Sequence, residues 1–255
     1  LAQAAGVLTI AFSLLTLLPS NFHALQLFSH FRLQYFVVAA LLVIVFVVLR
    51  DRRYAVLLFA TADNNGAHVL PWYFDEPYST GGRELKLLQA NVHSTNTDYA
   101  RFLALIDDEQ PDVVVVQEVS PAWAEELKRL EGAWPHRVVE ARDGNFGIAL
   151  LSKLPLAATA VVASEPLGFP TIVATLDVSG RRLQLIGTHP MIPLGQRNYA
   201  ARNAQLTTTG DLVRRGDGAR VLVGDLKTSM WDLNYRTLEA RTGLRNVRRG
   251  FGVLP

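Results

Sequence analysis

The stretch that decides the fold reads DVVVVQEV and runs from Asp112 to Val119. Four consecutive valines predict a β-strand, because β-branched side chains fit the pleated backbone of a sheet. Apolar and polar residues do not alternate here, which predicts that both faces of the strand are buried. The stretch carries Glu118 near its end, a carboxylate that is costly to bury without a partner or a metal ion. We therefore expect a central strand that delivers a charged group to the edge of a cleft.

Predicted strands and helices surround this stretch in an irregular order. The hydrophobic patterns predict strands over Glu84–Val92, Asp112–Val119, His136–Ala141, Phe146–Ser152, Thr171–Val178, Arg182–Thr188 and Arg220–Leu226. They predict helices over Asp98–Asp108, Pro121–Leu130, Gln196–Arg215 and Leu233–Thr242. Some strands are joined by tight turns such as Ser179–Gly180, which favours an α+β fold with two packed sheets over a doubly wound parallel sheet.

The composition excludes several classes of protein. Of the 255 residues, 49% are hydrophobic and 19% are charged, so a disordered or low-complexity chain is excluded. The chain has no cysteine, which excludes disulfides, thiolate metal sites and cysteine nucleophiles. The formal net charge of +2 argues against a protein dominated by a basic nucleic-acid-binding face, although it leaves room for a local basic patch.

Two uncharged stretches near the start of the chain predict membrane helices. Leu1–Leu18 would form a helix about 27 Å long, close to the thickness of the hydrocarbon layer of a bilayer. Leu33–Leu49 lies between Arg32 and Arg50, whose long side chains can reach the two membrane interfaces. The alternatives are a signal peptide for the first stretch and a buried core helix for the second.

A third stretch, Tyr54–Phe74, decides the topology. Its two ends are apolar, but Asp63 near its centre would cost about 2.5–3.5 kcal/mol in a bilayer. The preceding cluster of Arg50, Arg52 and Arg53 should lie on the cytoplasmic side. We expect the stretch to cross, which predicts a multi-pass protein of the cell membrane whose globular part is extracytoplasmic. If it does not cross, the globular part is cytoplasmic.

The chain is therefore predicted to have three parts. Residues 1–74 form a transmembrane region of two to three helices, for which the lipid bilayer is the expected partner. Residues 75–83 form a linker, since Pro, Gly and Ser interrupt any periodicity there. Residues 84–255 form one globular domain with 20 basic and 19 acidic side chains, long enough to bury a sizeable core.

Four polar residues lie at or just beyond the ends of apolar predicted strands. They are Asn91, Glu118, His189 and Asp225. Each alone is explained more simply as a capping or satisfied core residue. Together they suggest a shared cleft, because charged groups at such places are costly unless they are paired or bind a metal.

The order of the motifs resembles that of a known family. The motifs are LLQANV, DVVVVQEV, NFGIALLSK, LIGTHP and VLVGDLKTSMWD. Together they resemble the endonuclease/exonuclease/phosphatase family, the DNase-I-like group of metal-dependent phosphoesterases. The resemblance extends from about Glu84 to the end of the sequence, and the apolar front resembles the membrane-anchored bacterial branch of that family.

The resemblance implies a four-layer α/β/β/α sandwich and hydrolysis of a phosphoester with the help of Mg²⁺, or of Mn²⁺ in its place. Glu118 matches the family's metal-binding glutamate, and Asn91 matches the asparagine near the metal and the scissile phosphate. His189 matches the histidine that donates to phosphate oxygens. Asp225 matches the aspartate that orients the attacking water. The substrate would be a nucleic acid, a phospholipid or a small phosphate ester.

The chain departs from the family pattern at two points. Where the family has Asn two residues after the aspartate, this sequence has Lys227, which can bind phosphate but has no acceptor for a metal or a water proton. The family also ends on a strand with an Asp-His pair, and no histidine follows His189. We therefore expect a C-terminally incomplete domain, in which Lys227 and Asn145 bind substrate.

Two functions follow from this reading. The first is a membrane-anchored, Mg²⁺-dependent phosphoester hydrolase of the phosphodiesterase or nuclease type. The alternative is a non-catalytic binding or scaffold module with the same fold, which Lys227 and the missing Asp-His pair favour.

Overall fold

A computed structural model describes residues 1–18, 22–74 and 85–253. The chain groups into two compact units. The first comprises Leu1–Gly81, Thr228–Glu239 and Arg245–Pro255, and the second comprises Gly82–Lys227 and Ala240–Leu244. The predicted linker 75–83 lies outside the described residues. The predicted domain 84–255 differs from this grouping, because two stretches near its end belong to the first unit.

The second unit contains two four-stranded sheets. The strands are β1 (Leu87–Asn91), β2 (Val113–Gln117), β3 (His136–Glu140), β4 (Ile148–Ser152), β5 (Leu156–Ser164), β6 (Phe169–Val178), β7 (Arg181–Thr188) and β8 (Ala219–Val223). The first sheet has the order β1-β2-β4-β3 and the second has the order β5-β6-β7-β8. The pairs β1-β2 and β7-β8 are parallel and the other pairs are antiparallel. The predicted α+β class with two sheets is confirmed.

Nine helices are described along the chain. They are α1 (Ala2–Leu15), α2 (His23–Ser29), α3 (Arg32–Val48), α4 (Arg52–Val69), α5 (Pro71–Phe74), α6 (Tyr99–Glu109), α7 (Pro121–Leu127), α8 (Gly195–Arg215) and α9 (Leu233–Thr242). Helix α7 begins as predicted, with the Ser120 hydroxyl accepting a hydrogen bond from the Trp123 N–H and Pro121 in the first turn. It is shorter than predicted, because the chain continues as a 3₁₀ turn over Lys128–Leu130.

The four valines of β2 serve two cores at once. Val113 and Val115 pack with Ile172 and Leu185 of the second sheet. Val114 and Val116 face the opposite way, toward a core with side chains from α6 and α7. Helix α8 packs against β7 on the second sheet. Successive side chains of a strand point to opposite faces, so an unbroken apolar run is what a strand between two cores requires.

Strand β5 was not predicted. Its sequence, LAATAVVAS, is rich in alanine, which has low strand propensity. It forms as an edge strand because β6 supplies backbone partners along most of its length, from the Leu156–Leu176 pair to the Ser164–Phe169 pair. The predicted hairpin at Ser179–Gly180 is confirmed, and both residues have positive φ, as this turn demands.

The first unit is built mainly from apolar helices. Ala39 and Phe46 of α3 pack with Leu58 and Ala62 of α4 in a buried core. In the ranges that the structure describes, no single helix is both long and apolar enough to be a candidate membrane span. Helices α2 and α3 reach the required length and apolarity only as a pair, which is bent by 55°.

Candidate active site

The ends of four strands bring the four predicted polar residues together. Asn91 lies at the end of β1, while Glu118, His189 and Asp225 follow β2, β7 and β8. The Asn91 Nδ2 donates to Glu118 Oε1 at 2.7 Å and to Asp225 Oδ2 at 3.4 Å. The Nε2 of His189 lies 3.9 Å from Glu118 Oε1 and 4.0 Å from Asp225 Oδ2. Two residues from each sheet therefore form one cluster.

Two glycines allow the segments that carry this cluster to approach closely. A Cβ atom on Gly224, directly before Asp225, would lie 1.9 Å from the backbone oxygen of Thr188. A Cβ atom on Gly147 would lie 1.9 Å from the backbone oxygen of Val119. No other residue fits at either place without moving the backbone, so these glycines set the spacing of the site.

The backbone at the site is strained. Glu118 and Lys227 have φ angles of 64° and 52°, in the left-handed region that non-glycine residues rarely adopt, and His93 near Asn91 has a φ of 60°. Such conformations cost on the order of 1 kcal/mol or more each and tend to occur at functional sites.

Glu118 is a buried carboxylate that accepts hydrogen bonds from neutral groups. It is 5% exposed, and it accepts from the Asn91 amide at Oε1 and from the Ser94 N–H at Oε2, the latter at 3.4 Å. A buried anion with neutral donors suits a hard cation such as Mg²⁺, which often takes only one or two carboxylates and keeps several waters. Among the described residues, no three His, Asp or Glu side chains are grouped closely enough to hold a metal by themselves.

Asn91 presents its NH₂ group, not its oxygen, to the carboxylates. Its Oδ1 accepts a hydrogen bond from the His93 N–H at 3.1 Å. A role as a metal ligand would require the amide of Asn91 to rotate. In the orientation shown by the structure, Asn91 holds Glu118 and Asp225 in place.

His189 is almost completely buried, with 2% of its side chain exposed. Burial lowers the pKa of His189, and the positive charge of Lys227 lowers it further, while the carboxylates of Asp225 and Glu118 partly oppose the shift. The imidazole is therefore neutral near pH 7, and a neutral imidazole can donate one hydrogen bond and accept another.

Lys227 is bound to Asp225. Its Nζ lies 2.5 Å from Asp225 Oδ2, and its backbone N–H donates to Oδ1 at 3.2 Å. Burial would raise the pKa of Asp225, but the hydrogen bonds and charge of Lys227 outweigh it, so the pKa lies below its usual value. Asp225 is therefore ionised at neutral pH, with an ammonium on the oxygen nearest His189 and Asn91.

Asn145 is linked to the cluster by Ser94, a residue that sequence reasoning missed. The Ser94 hydroxyl donates to Asn145 Oδ1, while the Ser94 backbone N–H donates to Glu118. Ser94 follows Asn91 by three residues in the polar run His93–Asn96, directly after an apolar strand. That run was the available signal, because short polar residues after a strand often supply hydrogen bonds at a loop site.

The comparisons with known proteins agree with this fold. A family model described as the Endonuclease/Exonuclease/phosphatase family matches residues 88–254. A search of curated protein sequences gave no match. Among solved structures, TDP2 from D. rerio complexed with single strand DNA product is similar at 20% identity and a TM-score of 0.53, covering 60% of this chain and 64% of that one. The chain thus spans slightly less than two thirds of the TDP2 chain.

Two further solved structures from bacteria are similar. Sphingomyelinase C from Streptomyces griseocarneus matches at 22% identity and a TM-score of 0.55, over 65% of this chain and 72% of that chain. A beta hairpin deletion mutant of beta toxin from Staphylococcus aureus matches at 16% identity and a TM-score of 0.53, over 65% and 75%. At these identities the likeness concerns the fold. Because the family model covers well over half of its length, the chain belongs to the Endonuclease/Exonuclease/phosphatase family.

Proposed function

We propose that the protein hydrolyses a phosphoester with the help of Mg²⁺ or Mn²⁺. The observation that carries the proposal is the cluster of Asn91, Glu118, His189 and Asp225 at the ends of four strands from two sheets. A phosphoester hydrolase needs a place for a cation, an acceptor that orients water and a donor to the phosphate oxygens. These side chains supply those groups, because Asn91 hydrogen-bonds to both carboxylates and the Nε2 of His189 lies within 4.0 Å of both.

Each residue has a proposed role. Glu118, with Asn91 after rotation of its amide, would hold the metal, which supplies stabilisation of charge on the phosphate oxygens when bound. His189, neutral at pH 7, donates to a phosphate oxygen, and the ionised Asp225 accepts a hydrogen bond from the attacking water and so orients it. Lys227 and Asn145 bind the phosphate, Lys227 as a positive charge.

We also propose that residues 1–74 anchor the protein in the cell membrane as a multi-pass region, as in the membrane-anchored bacterial branch of the family. The support is the outer surface of the first unit, where Leu41 and Ile44 of α3 and Val56 and Phe59 of α4 are all more than half exposed. Such a surface suits lipid better than water. The Asn65 Nδ2 bonds the Ser13 hydroxyl at 2.6 Å, a polar contact of the kind that joins helices in membranes.

The globular part, residues 84–255 in this proposal, would be extracytoplasmic. A reporter fused after Gly82 should then behave as an exported protein. Activity of the reporter in the cytoplasm would contradict the proposed topology. Recovery of the full chain in the soluble fraction without detergent would contradict the anchor itself.

A non-catalytic binding module is the second candidate, and one observation favours it. The ammonium of Lys227 already occupies Asp225 Oδ2, the oxygen that would face the attacking water. A site with that pair intact binds an anion more readily than it activates water.

The test compares both candidates in one assay. The full chain in detergent is given bis(p-nitrophenyl) phosphate with Mg²⁺, with Mn²⁺ or with EDTA. A hydrolase predicts metal-dependent release of nitrophenolate. Glu118→Gln should lower that release by a factor on the order of 10³, and Glu125→Gln, a change at an exposed residue, should leave it intact. Saturable binding of the diester without turnover in any metal would instead support the binding module.

A further inference from the structure

Helix α8 buries polar side chains in addition to apolar ones such as Leu206 and Val213. Arg202, Gln205 and Thr209 are exposed by only 1%, 2% and 0%. Burying a guanidinium or an amide costs free energy unless specific hydrogen bonds compensate for the lost water. The partners of Arg202 and Gln205 therefore indicate a further role of the helix.

Gln205 joins a row of hydrogen-bonded hydroxyls that ends beside His189. Its Nε2 donates to Thr188 Oγ1 at 3.2 Å, and that oxygen lies 2.9 Å from Thr171 Oγ1. The Thr171 hydroxyl lies 3.2 Å from Ser164 Oγ. All these groups are buried, and the row crosses β7, β6 and β5. This row of hydrogen bonds holds Thr188, the residue directly before His189, in place.

Arg202 precedes Gln205 by one helical turn and holds the backbone after Asp225. Its Nη1 donates to the backbone oxygen of Lys227 at 3.0 Å. The ring of Tyr199, a further turn back, lies 5.1 Å from the guanidinium carbon and keeps it in place. Lys227 has a positive φ, so this hydrogen bond stabilises a strained turn. The turn is what brings the Lys227 ammonium to the Asp225 carboxylate.

We infer that Arg202 and Gln205 are positioning residues that set the placement of His189 relative to Asp225 and Lys227. One face of α8 binds the end of β7 through Gln205 and the segment after β8 through Arg202. Strands β7 and β8 are adjacent and parallel. A helix that hydrogen-bonds to the residues at the carboxyl ends of both strands therefore fixes their relative position. Neither side chain is assigned a contact with substrate. The expected effect on catalysis rests on the proposed function, whereas the positioning of these groups does not depend on it.

The first test observes the placement directly and needs no turnover. The full chain in detergent micelles is labelled with ¹³C in its histidine rings and ¹⁵N in its lysines, of which the sequence has six and four. Arg202→Met should shift the His189 ring and Lys227 amide resonances beyond their line widths, and Arg202→Lys should shift them less. The ring of His136, on β3 of the other sheet, should not move. Arg214→Met, at an exposed place on the same helix, is the matched control.

The second test measures catalysis. Moving a reacting group by about 1 Å can cost a factor on the order of 10² in rate. Arg202→Met should therefore lower kcat by about that factor with KM changed less than about twofold, and Arg202→Lys should recover much of the loss. Unchanged His189 and Lys227 resonances in folded Arg202→Met and Gln205→Leu would overturn the inference.

The two proposals fail in different ways. If the unaltered chain shows no turnover, the proposed function fails while the resonances still test the positioning role. If Arg202→Met does not fold, Gln205→Leu and Arg202→Lys carry the same measurement. A shift of the His189 ring resonances in Gln205→Leu supports the inference. Resonances of His189 and Lys227 that are identical to those of the unaltered chain in both Gln205→Leu and Arg202→Lys overturn it.

Discussion

The two carboxylates of the candidate site follow strands in the two sheets but have opposite surroundings. Glu118 follows the central strand β2, is buried, and accepts hydrogen bonds from the neutral Asn91 amide and Ser94 N–H. Asp225 follows the edge strand β8, is one third exposed, and binds the ammonium of Lys227. The hydrogen-bond donors of Glu118 are neutral, whereas Asp225 is already paired with a cation.

The difference shows how one type of side chain acquires two roles. A carboxylate that accepts only neutral hydrogen bonds stays attractive to a divalent cation, while an ammonium at 2.5 Å cancels much of that attraction. The surroundings of a carboxylate, more than its identity, decide its chemistry. This contrast predicts that metal binding depends on the half of the site in the first sheet.

The largest expected effect is on the response to metal. Addition of Mg²⁺ should raise the melting temperature of the unaltered chain, and Glu118→Gln should abolish that rise and lower metal-dependent hydrolysis by a factor on the order of 10³. Asp225→Asn should keep most of the rise in melting temperature, because the Glu118 half of the site is intact. Thermal unfolding with and without Mg²⁺ measures both. If both variants lost the rise in melting temperature, the predicted difference between the two carboxylates would be wrong.

A smaller effect is expected when the cation beside Asp225 is removed. Lys227→Asn should raise hydrolysis by a factor on the order of 10², because an amide can accept a hydrogen bond where the ammonium cannot. The same change should weaken binding of an uncleavable phosphate analogue. Steady-state kinetics and calorimetry check the two halves of this prediction. Equal activity in both versions would mean that Lys227 has no part in the chemistry.

The smallest effect concerns stability and pH. The folded-state pKa of Asp225 is lowered, so its pairing with Lys227 stabilises the fold above about pH 4 and ceases to do so as the pH falls through the lower, folded-state pKa. In EDTA, Lys227→Met should lower the unfolding free energy at pH 7 by less than about 1 kcal/mol and by less than that near pH 2.

A lysine that has no carboxylate partner among the described residues provides the control for that measurement. Lys153 lies over the Trp134 ring and bonds to Gln110, so the cost of Lys153→Met should not depend on pH. Denaturant unfolding of both variants at the two pH values gives the comparison. A cost of Lys227→Met that is the same at both pH values would show that the Asp225 pair does not contribute.

Features decided by neighbouring residues were predictable from the sequence. The valines of β2, the Ser120 cap of α7 and the turn at Ser179–Gly180 depend on side chains within a few positions of one another, and all three are found as predicted. The sequence also placed the four polar residues at the ends of apolar strands. Periodicity reports whether a strand has one or two buried faces, which is why those predictions could be made.

Only the tertiary structure decided which strand ends meet and how each group is paired. Asn91 bonds Asp225 across 134 positions of sequence, a contact that exists because two separate sheets pack together. Strand β5 forms through pairing with β6 although its alanines do not favour it. The same holds for the buried Arg202 at the Lys227 backbone. Such contacts depend on long-range packing. Local sequence patterns do not indicate which distant groups this packing brings within hydrogen-bond distance.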